Sequence, residues 1–268
     1  MKNITLLALL VTAISSFTVS AQDTTYLNAN WKETTPDKSS YFRIKQKTDS
    51  GWLVKDYFRN GKPQMTGLFK DDSLTIADGH FTWYDEKGLN RRCTLAGGKK
   101  EGAEIYYYPN GHVKATGNNK TGEMDGEWLG YYTNGKPSGK ATYTNGKQLS
   151  ASFFQEDGTR DKSITQFMQE AQYPGGPSQL LKFINKNIKY PDAAVKNNTE
   201  GTVIVSVKIT KDGIPADFKV TKSVDKNLDA EAINVLRQMP EWKPAILGGI
   251  PTDMYINQPI TFQLKAKK

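Results

Sequence analysis

Pairs of adjacent aromatic residues return through the first half of the chain at nearly even spacing. They are Tyr57-Phe58, Trp83-Tyr84, Tyr107-Tyr108, Tyr131-Tyr132 and Phe153-Phe154, at steps of 26, 24, 24 and 22 residues. A turn glycine follows each pair (Gly61, Gly88, Gly111, Gly135, Gly158). Another, preceded by Ser, Asp or Glu, comes before most of them (Gly51, Gly79, Gly102, Gly126). A repeat of this length with several turn signals per unit marks an array in which each unit buries its apolar face against its neighbours. The segments between turns are short and rich in Tyr, Phe, Trp and Thr, which suits strands. Asn60-Gly61, Asn110-Gly111, Asn134-Gly135 and Asn145-Gly146 predict type I′ hairpin turns, whose two central residues both take positive φ. One hairpin is marginal in water, but stacked hairpins share an aromatic face and gain from cross-strand pairs. The strand signal starts at Tyr41-Phe42-Arg43-Ile44, after a polar lead-in from Asp23 to Ser40 that holds Trp31 and Pro36.

These units, as in EGAEIYYYPNGHVKATG and DGEWLGYYTNGKPSG, resemble MORN-type repeats over about four units, roughly Ser50 to Ser152. The first is less regular, with Ser50-Gly51 where an acidic residue and glycine would stand. The resemblance speaks to architecture and little to function. The aromatics read most simply as the core of a β-meander; an aromatic ligand-binding face is the other reading.

Ahead of the array, Met1-Lys2-Asn3 leads into an apolar run from Ile4 to Val19 and then Val19-Ser20-Ala21. A short basic start, an apolar middle and small residues before Gln22 predict a secretory leader over 1–21, cleaved after Ala21. The run is shorter than the ~20 apolar residues of a spanning helix, although an uncleaved inner-membrane anchor is the alternative. No cysteine follows the run, so a lipoprotein anchor is not expected, and no second apolar run supplies a span to the mature chain. The net charge is +8, or +7 without the leader, and it is spread out with no block of five like charges. A nucleic-acid footprint needs clustering, so none is expected. Cys93 is the only cysteine and His80 and His112 the only histidines. That excludes an intrachain disulfide, a cysteine-based metal site and a histidine triad. Asp71-Asp72 sits in turn-rich polar sequence as solvated charge. The expectation is a chain with no metal, no cofactor and no enzymatic activity.

At Asp161 the pattern changes. Ile164, Phe167, Met168 and Ala171 share one helical face, and Tyr173-Pro174-Gly175-Gly176-Pro177 stops any helix. The sequence therefore divides into the leader (1–21), a β-hairpin repeat domain (22–160), a linker with a short helix (161–176) and a C-terminal domain (177–268). In the last of these, Pro177 can open a helix with Leu180, Leu181, Phe183 and Ile184 as its buried stripe. Asp192 can cap a short helix over Ala193, Ala194 and Val195. Val203, Val205, Val207 and Ile209 alternate with polar residues as a half-buried strand. Lys211-Asp212-Gly213 turns it back through Phe218 and Val220. Asn227 or Asp225 can cap a helix with Leu228, Ala232, Val235, Leu236 and Met239 on one face, ended by Pro240. Gly248-Gly249 leads to a last strand from Met254 to Leu264. Pro259 cannot donate to a ladder, which places that strand at a sheet edge or at a bulge. Such an edge either accepts a visiting strand by β-augmentation or is guarded by Pro259 and Lys265, Lys267 and Lys268; the residues alone leave both open. The fold class is α+β: an antiparallel hairpin array followed by a small domain with a three-stranded antiparallel sheet and two main helices.

The order Tyr190-Pro191 to Ala194, Gly201 to Val205, Asp212-Gly213, Leu228 to Ala232 and Trp242 to Pro244 is similar to the TonB C-terminal domain over about 95 residues. Tyr173-Pro174-Gly175-Gly176 resembles the version found with this domain in Bacteroidetes-type envelope proteins. In that family a short Ton box peptide of an outer-membrane receptor is received by the last strand and by the segment before the Tyr-Pro pair. The resemblance therefore implies partner-binding roles for Asn187, Ile188, Lys189 and Tyr190, and for Met254, Tyr255, Ile256, Asn257 and Gln258. Tyr190, Trp242 and Pro244 read first as residues that fix the fold. TonB itself has an uncleaved anchor and a long Pro-rich spacer; this chain has 12 prolines, no proline run, and the array in the spacer's place. The expectation is a periplasmic module that binds an outer-membrane TonB-dependent receptor or another envelope protein, possible service in energy-coupled transport included. The alternative is an envelope scaffold whose repeats make the main contacts.

Overall fold

The computed structural model describes residues 24–264; the leader and Lys265, Lys267 and Lys268 lie outside the described residues. Twelve antiparallel strands form one sheet whose spatial order is the chain order. They are β1 (Thr24–Leu27), β2 (Tyr41–Thr48), β3 (Gly51–Phe58), β4 (Pro63–Phe69), β5 (Gly79–Asp85), β6 (Gly88–Ala96), β7 (Lys99–Tyr107), β8 (Val113–Lys120), β9 (Glu123–Tyr131), β10 (Pro137–Thr144), β11 (Lys147–Phe154) and β12 (Arg160–Asp161).

The turns correct the type I′ expectation at three of four sites. Asn145 and Gly146 do both take positive φ, 47° and 74°. Elsewhere only the glycine does: Gly61, Gly111 and Gly135 lie at 83°, 84° and 81°. The loop there is one residue longer. Gly61 N–H donates to the Phe58 carbonyl (2.9 Å) and Phe58 N–H to the Lys62 carbonyl (2.8 Å), and the same two bonds recur at Tyr108 and Tyr132. The asparagine acts through its side chain, Oδ1 accepting from the N–H of Lys62 (3.0 Å), His112 (3.1 Å) and Lys136 (3.0 Å). This is the three-residue hairpin loop, a type I turn closed by a left-handed glycine.

Aromatic residues join one repeat to the next in two ways. The second residue of a pair reaches across the sheet: Tyr108 Oη donates to the Tyr131 carbonyl (2.8 Å) and Tyr132 Oη to the Phe154 carbonyl (2.7 Å). Burial, with Tyr132 and Glu156 nearby, pushes the Tyr108 phenol up to about 12. Other rings lie over strand glycines. A Cβ on Gly67 would fall 2.1 Å from Phe81 and one on Gly117 2.2 Å from Trp128, so each ring occupies the space of the missing side chain. Trp128 is fully buried, donates its indole N–H to the Asn118 carbonyl (3.0 Å) and meets the Phe167 ring edge-on at 6.2 Å. Between the Val54–Met65–Phe81 and the Ala115–Trp128–Ala141–Phe153 clusters lies Glu104, fully buried. Its carboxylate accepts from Lys100 (2.9 Å), Tyr106 Oη (3.0 Å) and Asn119 Nδ2 (2.8 Å), which satisfies the charge.

The helix expected over Ile164 to Ala171 is absent. The segment is extended and contains β13 (Met168–Gln169). Gln148 captures its backbone, accepting from Phe167 N–H (2.9 Å) and donating to the Thr165 carbonyl (2.9 Å), and Phe167 is buried against the array. A single eight-residue amphipathic run cannot offset helix nucleation against those bonds.

The C-terminal domain comprises α1 (Pro177–Asn187), α2 (Asp192–Lys196), β14 (Gly201–Ile209), β15 (Pro215–Lys222), α3 (Lys226–Arg237), β16 (Ala245–Leu247), β17 (Ile250–Thr252) and β18 (Met254–Phe262). Its main sheet has the order β15-β14-β18, and Val203, Val205, Val207 and Ile209 are fully buried beneath Leu228, Ala232, Val235 and Leu236 of α3. Asp225 caps α3, accepting from Asn227 N–H (2.8 Å) and Leu228 N–H (3.3 Å); these bonds hold its carboxyl below the usual range. Two local expectations fail. Pro191, not Asp192, precedes α2, and no side chain caps it. Leu181 is 59% exposed, because the buried face of α1 is Leu180 and Ile184 alone. A second small sheet, β13-β16-β17, adds to the three-stranded one. Among the described residues the chain is mostly β, and its three α-helices all lie in the C-terminal domain.

Candidate functional site

β18 is an edge strand, paired with β14 on one side only. The ladder runs unbroken from Gly201↔Phe262 to Ile209↔Met254, with Pro259 opposite Ile204. Backbone groups of successive residues point to opposite sides of a strand. Pro259 has no N–H to give β14, and the Ile204 carbonyl faces the other way, accepting from Thr221 Oγ1 of β15 (3.2 Å). Thr202 and Thr261, the next pair of the same parity, bring their hydroxyls to 3.0 Å, as the closer, non-hydrogen-bonded pairs do. This parity turns Tyr255, Asn257 and Thr261 outward with both backbone groups, and Pro259 with its carbonyl alone. Their side chains lie on the open face of the sheet, while Ile260 and Phe262 are buried on the helical side.

Tyr255 is 60% exposed and its hydroxyl lies 3.4 Å from Asp217. Asp217 is ion-paired with Lys208, whose hydrogen bond lowers the carboxyl and in return raises the ammonium. Burial pushes the Tyr255 phenol up, and Glu86, in the turn between β5 and β6, adds to the rise. The open face therefore presents an aromatic ring, an ion pair and the amide of Asn257 beside the free edge.

The other expected segment lies off the strand, at the end of α1 and in the connection to α2. Asn187 closes α1, its Nδ2 donating to the Phe183 carbonyl (2.7 Å). Ile188 is half-buried against the core, and Lys189 N–H donates to Glu231 (2.8 Å). Tyr190 Oη donates to the Thr199 carbonyl (2.6 Å), and its ring meets Phe262 edge-on at 5.7 Å. Phe262 ends β18, and at ~3.3 Å per residue Gln258 is about 13 Å and Met254 about 26 Å from it along the strand. The structure thus groups Met254 to Gln258 on one half of the edge, and of Asn187 to Tyr190 only Tyr190 meets the strand, at its Phe262 end. Thr261, outward on that edge, went unread in the sequence, although the parity set by Pro259 and by buried Ile260 and Phe262 was enough to find it.

The domain is held against the array by the β16–β17 hairpin. Its Gly248-Gly249 turn meets β8, β9 and β10: Ser138 Oγ donates to the Gly248 carbonyl (2.7 Å), Gly249 N–H to the Phe167 carbonyl (3.1 Å), and Lys114 Nζ to Thr252 Oγ1. Gly130 is flat against the turn, since a Cβ there would fall 2.2 Å from the Gly248 carbonyl oxygen. Burial lowers the Lys114 ammonium to about 8 against a small opposing pull from Asp253.

Residues 186–264 match the family model described as Gram-negative bacterial TonB protein C-terminal, and residues 100–118 and 124–145 match the one described as MORN repeat variant. The chain carries a TonB C-terminal domain behind MORN-type repeats. No curated protein matches it. The TonB C-terminal match takes in all of β14, β15, α3 and β18, and so the whole free edge; it points to a protein of the cell envelope. Among the described residues no three His, Cys, Asp or Glu side chains gather as a metal site, and no helix is long and apolar enough to cross a membrane.

Proposed function

We propose that this is a periplasmic binding protein, without enzymatic activity, that takes up an extended segment of an outer-membrane TonB-dependent receptor or of another envelope protein along the free edge of β18. The observation that carries the reading is the outward parity of Tyr255, Asn257 and Thr261 on an edge strand of a TonB C-terminal domain. A visiting strand gains main-chain bonds there, while its alternate side chains meet those of Tyr255, Asn257 and Thr261 on the open face. The proposal assigns binding and not the transmission of force, because a packed sheet stands where an extended spacer would. Asn257→Pro tests it. The substitution removes one outward N–H and leaves the bonds to β14 in place. Titration with Ton-box-type peptides, followed by fluorescence anisotropy, is expected to show roughly three- to tenfold weaker binding, the order of one net main-chain bond. Equal binding by the variant, with an unchanged melting curve, refutes the edge as the site.

A further inference from the structure

A groove of about 520 Å³ lies beside α1, lined by Tyr173, Pro174, Gln179, Lys182, Phe183 and Lys186, with Asn187 at its end. Its wall is apolar and held in place. The Tyr173 ring meets Trp242 edge-on at 5.4 Å and is tilted against Phe183 at 6.0 Å. Its rim is cationic. From Ala171 to Pro191 the chain has no acidic residue and three lysines, Lys182, Lys186 and Lys189. Neither Lys182 nor Lys186 has an ion-pair partner among the described residues. None of these residues belongs to β18, and the edge just described does not use the groove.

We infer that this groove is a second docking site, for an extended acidic segment of a protein partner with two carboxylates one residue apart and an apolar side chain beside them. The spacing follows from geometry. Lys182 and Lys186 stand one helical turn apart, with Cβ atoms about 5–6 Å apart. Alternate side chains of an extended peptide lie about 6.6 Å apart on one face, so two acids flanking a single residue meet both ammonium groups. The apolar side chain then rests on Tyr173, Phe183 and Pro174. The aromatic wall beside the lysines favours a peptide over an anionic bilayer, whose headgroups would meet the lysines but leave Tyr173 and Phe183 unused.

The test uses the full chain and a labelled heptapeptide, Ser-Phe-Ser-Asp-Ser-Asp-Gly, whose Phe and two Asp side chains share one face when extended, read by fluorescence anisotropy. Its counterpart carries Asn for both Asp. The acidic peptide is expected to bind about tenfold more tightly than the Asn form, and Lys182→Gln with Lys186→Gln to remove that preference, each exposed pair giving a few-fold. Both lysines are exposed, so the double variant is expected to keep the wild-type melting curve. Asn257→Pro, which addresses the β18 edge, is expected to leave this binding unchanged, so the two sites fail separately. Equal binding of both peptides, no binding of either, or a double variant that still prefers the acidic form overturns the proposal. So does capture by vesicles containing phosphatidylglycerol that the acidic peptide cannot displace.

Discussion

Gly130→Ala separates the joint between the domains from the stability of either one. Gly130 lies in β9 opposite Ala115 and Gly139, outside the left-handed region, so alanine is conformationally at ease there. In the strand itself the change favours folding by roughly 0.5–1 kcal/mol, the entropy that glycine forfeits. The new methyl, however, falls 2.2 Å from the Gly248 carbonyl oxygen and 2.7 Å from its carbon, backbone that cannot rotate aside. The hairpin turn has to lift. Lifting it breaks the bonds from Ser138 Oγ to Gly248 and from Gly249 N–H to Phe167, at about 1 kcal/mol each. Docking is therefore weaker by about 2 kcal/mol, and local opening about 30-fold more frequent. Amide hydrogen exchange reads this directly: the Gly249 amide is expected to exchange about 30-fold faster, with those of Val203 to Ile209 unchanged. The global urea midpoint moves much less, because the strand's own gain offsets part of the loss. A Gly249 amide that exchanges at the wild-type rate in the variant refutes the close seat of the hairpin and the rigid joint that follows from it.

Two other perturbations probe the array and the joint. Trp128→Ala empties the fully buried space over Gly117 and against Phe167, and urea denaturation is expected to show a loss of about 3–5 kcal/mol. Lys114 has its ammonium lowered from 10.5 to about 8 by burial. Between those values the unfolded chain binds the proton that the folded chain has released, so the contribution of Lys114 to stability rises with pH from about 8 to 10.5, and the cost of burying its charge is fully present below 8. Lys114→Met is therefore expected to melt higher than the wild type at pH 7 and to lose that advantage by pH 10.5, in paired thermal melts; a constant offset across that range counts against a buried charge.

The array was legible because its signal is local and repeated. Aromatic pairs and turn glycines at a steady step leave little but stacked hairpins, and the strand boundaries follow. Turn type was less legible. Asn-Gly suits either loop length, and what decides between them, the Asn60 side chain accepting from Lys62 N–H, depends on the register of the flanking strands. The C-terminal sheet and α3 could be read because alternation at Val203 to Ile209 and the stripe from Leu228 to Met239 are unambiguous. The stretch from Ile164 to Ala171 misled, since its helical periodicity records contacts made by an extended chain with two different neighbours, the array at Phe167 and the hairpin at Met168. The β16–β17 hairpin has three residues a side and finds β13 more than 70 positions upstream, so no window of sequence contains it. On the edge, Pro259 announced an exposed strand, and the same residue fixes which of its neighbours face outward. The separation of Tyr190 from Met254 to Gln258 could not be seen, because it depends on where α1 ends relative to Phe262.

The hairpin rests on β8 to β10, and that choice of seat sets a distance. β1 stands seven paired steps from β8, about 34 Å along the sheet at ~4.8 Å per step. Every step is a ladder of main-chain bonds. The paired strands therefore fix the span from β1 to the seat of the hairpin, and residues 24–161 act as a ruler where a cord would have left slack.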